Sequence, residues 1–130
     1  MAPFPAFVTC LALLVYLWTG IACAMARRRY NIVAPAVTGA PQFERALRIQ
    51  QNTVEQLVLF LPSLWLFSHF LSPFWGGVLG LVFVLARAYY IFSYSRDPAS
   101  RGPGFVIGYI ATLVLLAGGI LGIFRVWLGS

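Results

Sequence analysis

Hydrophobic and polar positions along the chain sort into four long apolar runs separated by short polar stretches. Residues 4–26 carry no charge and end on Arg27-Arg28-Arg29. The second run, about residues 54–71, is entered through a polar approach, FERALRIQQNTVEQ, that begins at Phe43. Residues 74–95 form the third run and residues 104–128 the fourth. A bilayer core of about 30 Å takes about 20 helical residues at a rise of about 1.5 Å. Each run therefore has the length to cross. The pattern predicts an all-α integral membrane protein, one four-transmembrane-helix bundle over residues 1–130, with helices at about 4–26, 43–71, 74–95 and 104–128. The first run has no basic segment before it and is too long for a secretory leader, so it reads as a retained helix.

The connections set the expected topology. Leu71-Ser72-Pro73-Phe74 is too short for anything but an antiparallel hairpin. The two longer links hold Arg27, Arg28, Arg29, Arg96 and Arg101, with Arg45 and Arg48 close behind, whereas the opposite side has only Arg125. The positive-inside bias then puts the basic loops in the cytoplasm and both termini across the membrane. Pro62 should kink the second helix. Gly76 with Gly80, and Gly118 with Gly122, make small-xxx-small pairs that let helices approach. Cys10 and Cys23 lie about 20 Å apart along one helix and cannot pair with each other. They suggest neither a metal site nor a redox motif, and His69 stands alone.

Composition sharpens the membrane reading. Of 130 residues, 61% are hydrophobic and only 9% charged, against about 25% charged in soluble domains. All nine basic residues are arginines, set against Glu44, Glu55 and Asp97, for a net charge of +6. Guanidinium suits bidentate recognition of carboxylate or phosphate; a GC-rich genome produces the same bias.

The polar groups at the mouth of the second run are periodic. Arg45, Arg48, Asn52 and Glu55 recur at steps of three and four and share one helical stripe, flanked by Gln51 and Gln56. Arg87, Tyr90 and Tyr94 repeat the device on the third helix, and Arg101 follows just past its end. Charge at membrane depth is costly unless paired or solvated, and usually marks a functional cavity. Arg48, Glu55 and Arg87 as a purely structural ion-pair network is the competing account. Glu55 neutralises one arginine at most, so surplus guanidiniums remain. They call for a small anionic ligand, multiply carboxylated or phosphorylated, entering from the cytoplasm.

The segment ARRRYNIVAPAVTGAPQFERALRIQQNTVE, with its FER-x-x-R-x-Q-x-N-x-x-E pattern, resembles the membrane-associated proteins in eicosanoid and glutathione metabolism (MAPEG). The run ARAYYIFSYSRDPASR matches the same family at the same spacing, and the branch it resembles is that of microsomal glutathione S-transferases related to cysteinyl-leukotriene synthase. The resemblance implies a glutathione transferase, with lipid-hydroperoxide peroxidase or leukotriene-synthase-like activity as further options. It implies glutathione as co-substrate, a hydrophobic electrophile as second substrate, and neither metal nor nucleic acid. Position by position, Arg27, Arg48, Gln50, Asn52, Glu55, Arg87, Tyr90, Tyr94 and Arg101 correspond to glutathione-binding residues. Arg101 corresponds to the thiolate-stabilising arginine and Arg28 to one acting on the second substrate. A homotrimer with sites between subunits, in a bacterial inner membrane or the endoplasmic reticulum, is also implied. Gln56 and Leu47 stand where the leukotriene-synthase branch has tyrosines, which favours a general transferase or peroxidase. A non-catalytic lipid-binding scaffold, as in the family's lipoxygenase-activating branch, is the alternative; it has no need for Arg48, Asn52, Glu55, Tyr90 and Arg101 together. A small transporter lacks a continuous polar path.

Overall fold

In a computed structural model, which describes residues 2–129, the chain is a bundle of four long helices: α1 (Pro3–Tyr30), α2 (Pro41–Phe70), α3 (Pro73–Arg96) and α4 (Gly102–Gly129). A 3₁₀ turn, Pro98–Ser100, separates α3 from α4. The helices extend the sequence expectation by a few residues, chiefly at the polar ends. Local chemistry sets those ends. Proline opens α1, α2 and α3, where its missing N–H forfeits no helical bond and its fixed φ suits the first turn. Asn31 closes α1 in the left-handed conformation (φ 56°, ψ 44°), and the N–H of Ile32 donates to the Arg27 carbonyl at 3.0 Å. Arg27, Arg28 and Arg29 occupy the last turn of α1, where cations meet the negative end of the helix dipole. Ser72 turns the hairpin, its hydroxyl accepting from the Trp75 N–H at 3.2 Å. α2 runs through Pro62 as one helix of 30 residues.

Among the described residues, three segments are long and apolar enough to cross a membrane: Pro3–Tyr30, Pro73–Arg96 and Pro98–Gly129. α2 falls short of that measure because its first half carries Glu44, Arg45, Arg48 and Glu55. It is nonetheless in contact with all three other helices. The outer faces are lined with large apolar side chains, among them Leu14, Leu17, Ile21, Leu85 and Leu121.

The interior is made of rings interleaved with small residues. Phe60 of α2 and Phe83 of α3 stack with centroids 3.8 Å apart and planes 9° from parallel. Val8, Leu64 and Leu115 pack around them, each fully buried. The two expected glycine pairs are contact points. A Cβ at Gly80 would lie 2.7 Å from Val8, and one at Gly122 2.6 Å from the carbonyl oxygen of Phe70. Gly104, outside those pairs, sets the closest approach of α4 to α3 at their polar end. A Cβ there would meet the Tyr90 nitrogen at 2.8 Å and the Ala86 oxygen at 2.9 Å. The start of α4 therefore lies against the α3 backbone, which fixes where the preceding Arg101 stands.

Gly104→Ala and Gly108→Ala separate this close approach from helix propensity. Alanine gains up to about 1 kcal/mol of propensity over glycine within a helix. At Gly108 the added methyl meets only Phe83 and Ala86 side chains, at 3.6 Å or more, so Gly108→Ala should be neutral or stabilising. At Gly104 rigid backbone must move, an overpacking cost of roughly 1–3 kcal/mol. Thermal melting in detergent should rank Gly104→Ala well below Gly108→Ala; equal melting temperatures would refute the contact.

Candidate functional site

The polar stripes of α2 and α3 meet at the end of the bundle that holds the two longer connections. There Arg48, Gln51, Asn52 and Glu55 of α2, Tyr90 and Tyr94 of α3, and Arg101 surround a cavity of about 270 Å³. Its parts differ in burial. Tyr90 and Tyr94 are buried, Asn52 is half-buried, and Arg48, Gln51, Glu55 and Arg101 are exposed. The site thus has an aromatic floor and a charged rim on which two guanidiniums accompany one carboxylate. Tyr90 and Tyr94 pack edge to face at 5.6 Å between centroids. The Arg101 guanidinium lies 5.2 Å from the Tyr94 ring centroid and donates to the Pro98 carbonyl at 3.0 Å, so the 3₁₀ turn and the floor together hold the rim arginine. A second cavity of about 260 Å³ adjoins the first, sharing Arg48, Tyr94 and Arg101 and adding Glu44 and Arg45. Arg45 reaches across to the Ser95 carbonyl at 3.5 Å, tying the start of α2 to the end of α3.

Arg87 lies beneath this floor, only 2% exposed. One terminal nitrogen donates to Asn52 Oδ1 at 2.7 Å and to Thr53 Oγ1 at 3.4 Å, and the guanidinium lies 4.2 Å from the Tyr90 ring centroid. Its hydrogen bonds thus go to neutral oxygens rather than to Glu55, and the three-residue ion-pair network that the sequence allows does not form around it. Thr53 has no place among the residues that the sequence pattern singles out. It is fully buried, and its hydroxyl also donates to the Ile49 carbonyl at 2.7 Å. Gln51 is legible in the sequence only as a neighbour of the stripe, yet it lines the cavity.

Three further residues singled out in the sequence lie elsewhere in the single chain. Arg27 donates to the Ala36 carbonyl at 2.8 Å and lies 4.7 Å from the Phe43 ring centroid, bracing the connection between α1 and α2. Gln50 faces α1: its Nε2 is 3.5 Å from where a Cβ of Gly20 would stand. Arg28 is exposed and borders a separate cavity with Met25 and Arg29. His69 pairs edge to face with Phe70 near the opposite hairpin, and Cys10 and Cys23 are free thiols, one exposed and one buried. Among the described residues, no group of three or more histidine, cysteine or acidic side chains is arranged to hold a metal.

The model of the MAPEG family matches residues 5–121. The chain belongs to the MAPEG family. It is 41% identical to human microsomal glutathione S-transferase 2 over 100 residues, covering 75% of this chain and 67% of that protein. Leukotriene C4 synthase of Cavia porcellus is 32% identical over 118 residues, 91% of this chain and 79% of the relative. An uncharacterized protein of Synechocystis is 41% identical over 120 residues, 92% of this chain and 88% of its own. With MAPEG membership and three helices of spanning length among the described residues, the chain is an integral membrane protein.

The bracing by Arg27 yields a measurable outcome in this MAPEG chain. Arg27→Ala removes one hydrogen bond and one cation–π contact, each worth on the order of 1 kcal/mol. Amide hydrogen exchange should speed up in residues 33–40 while α3 and α4 keep wild-type protection. Unchanged exchange in that connection would remove Arg27 as its brace.

Proposed function

We propose that the protein is a membrane-bound glutathione S-transferase that joins glutathione to hydrophobic electrophiles. The observation that carries this reading is the cavity in which Arg48 and Arg101 stand with Glu55 above Tyr90 and Tyr94. Glutathione has two carboxylates, one ammonium and a thiol. Arginines suit the carboxylates, and Glu55 offers a partner for the ammonium. MAPEG membership and relatives named as glutathione transferases support the same assignment.

The chemistry asks little of the protein beyond charge and position. A cysteine thiol titrates near 8.5 and reacts as the thiolate. A guanidinium beside the sulfur favours the charged form, and each tenfold gain in its ionisation constant corresponds to about 1.36 kcal/mol. In this reading Arg101 is that guanidinium. The thiolate sulfur attacks the electrophilic carbon, a C–S bond forms, and the leaving group departs with the bonding pair. With a hydroperoxide instead, two glutathiones reduce ROOH to ROH and water and are oxidised to the disulfide. Gln56 and Leu47 favour these general activities over dedicated leukotriene synthesis.

The membrane completes the arrangement. α2 serves as a fourth crossing, its apolar half in the bilayer and its polar half lining the cavity at the cytoplasmic mouth. The arginine-rich connections face the cytoplasm and both termini lie opposite. Arg27 and Gln50 belong to the α1–α2 side and lie outside the cavity of their own chain. A homotrimer with sites between subunits would bring those groups from one protomer to the cavity of the next, with Arg28 toward the second substrate.

Two substitutions test the roles. Glu55→Gln should weaken glutathione binding on the order of tenfold, about 1.4 kcal/mol, by calorimetry on folded protein. Unchanged affinity would take Glu55 out of the site. Arg101→Ala should leave much of the affinity, raise the bound thiol's pKa, and diminish the ultraviolet thiolate absorbance. Turnover should fall at neutral pH and partly recover as the pH passes about 8.5, because the thiol then ionises unaided. Arg101→Lys should be intermediate, keeping the charge but losing the planar fork. A wild-type pH–rate profile for Arg101→Ala would contradict the assignment.

A further inference from the structure

Residue by residue, the family likeness makes Arg87 a ligand of glutathione. The geometry points to a different role. Arg87 is 2% exposed, absent from the lining of the cavity, and separated from it by Asn52 and Tyr90. We infer that Arg87 is a positioning residue that fixes the side-chain amide of Asn52 with its oxygen turned inward, so that Asn52 meets the substrate as a hydrogen-bond donor. This inference rests on the glutathione-binding reading of the cavity.

The orientation follows from the donor inventory. Oxygen and nitrogen of an asparagine amide are hard to tell apart by shape alone. The partner decides here. A guanidinium has five N–H donors and no acceptor, so only the amide oxygen can face it at 2.7 Å. Turning the amide over would set donor against donor around a buried charge. Thr53 reinforces the choice. Its hydroxyl donates its one hydrogen to the Ile49 carbonyl and offers Arg87 a lone pair at 3.4 Å.

Losing either contact would leave a buried cation with a single hydrogen-bonding side chain. The Arg87 Nε is already buried without one, and the other near neighbour of the guanidinium is the Tyr90 ring face at 4.2 Å. The amide oxygen is held on the Arg87 side, so the Nδ2 hydrogens are what Asn52 turns toward the cavity. The substrate group opposite Asn52 must be an acceptor: a carboxylate, a peptide carbonyl or the thiolate of glutathione. The ammonium, itself only a donor, cannot pair with Nδ2, and Glu55 on the rim is its charged partner.

Asn52→Asp distinguishes this arrangement from a generic polar contact, because it keeps an oxygen toward Arg87 and replaces the outward donor with an acceptor. In detergent-purified full-length protein without ligand, Asn52→Asp should melt at or above the wild-type temperature, since the carboxylate pairs with a guanidinium that now has only neutral oxygens. Melting as low as Asn52→Leu would overturn the inward-facing oxygen. With glutathione as titrant, Asn52→Asp should bind at least roughly tenfold more weakly despite its stability, about the value of a charge-assisted hydrogen bond. Unaltered affinity would overturn the donor role.

A double-mutant cycle tests whether Arg87 acts through Asn52. Arg87→Met removes the donor that holds the amide oxygen, which a lysine would retain, and should weaken glutathione binding when Asn52 is present. In an Asn52→Ala background it should change affinity by less than about threefold. Fully additive losses would mean that Arg87 touches glutathione itself and would overturn the proposal. If wild-type protein binds no glutathione, the transferase reading fails, while the ligand-free melting comparison still judges the amide orientation on its own.

Discussion

A buried guanidinium hydrogen-bonded to neutral oxygens is the constraint around which this end of the bundle is arranged. Desolvating a charge is costly unless other groups replace the lost water. Arg87 obtains that replacement from Asn52, Thr53 and the face of Tyr90, residues of α2 and α3. The contacts therefore do more than satisfy one side chain. They cross-link the two helices at the depth where their polar stripes face each other, and they set the register in which Tyr90 and Tyr94 form a floor beneath the rim.

That register holds only because the helices approach closely elsewhere. Below the polar layer, the Phe60–Phe83 stack and the side chains around it fill the interior. At the level of the site, Gly104 lets α4 begin against the backbone of Ala86 and Tyr90. Arg101, three residues earlier, is carried to the rim by that approach and steadied by the 3₁₀ turn and Tyr94. A polar cavity at the end of an apolar bundle is thus a consequence of backbone packing as much as of charged residues. Charged rim groups remain in reach of water, while the tyrosines beneath them are buried. This division leaves the rim open to a polar ligand while the framework beneath it stays fixed.

The division of the chain between lipid and water has the same origin. Large apolar side chains cover the outside of α1, α3 and α4, and aromatic, aliphatic and small ones together fill the inside. α2 departs from this pattern because half of it lines the cavity, which explains why it alone among the four long helices is too polar to be recognised as a span by hydropathy.

Much of this is legible in the sequence because it depends on short-range periodicity. Four apolar runs, proline at helix starts and the polar stripe at positions 45, 48, 52 and 55 require only helical geometry to read, and the helices appear within a few residues of those limits. The FER-x-x-R-x-Q-x-N-x-x-E pattern likewise points to the MAPEG family without any knowledge of tertiary contacts. Which polar groups face one another is not legible. Arg48 and Arg87 look alike in the sequence, one residue of each stripe, yet one is on the rim and the other buried beneath the floor. The resemblance groups Arg27 and Gln50 with the stripe residues around one ligand, yet Arg27 braces the α1–α2 connection and Gln50 turns to α1. Thr53 and Gly104 carry no sequence signal, because a hydroxyl that receives a buried charge and a glycine that admits a neighbouring backbone are defined by what packs against them. The sequence determines which helices form and which faces are polar, since those are properties of a single helix. Only the tertiary structure decides which of those faces meet, at what depth, and so which charges stand open to a ligand and which hold the groups around it in place.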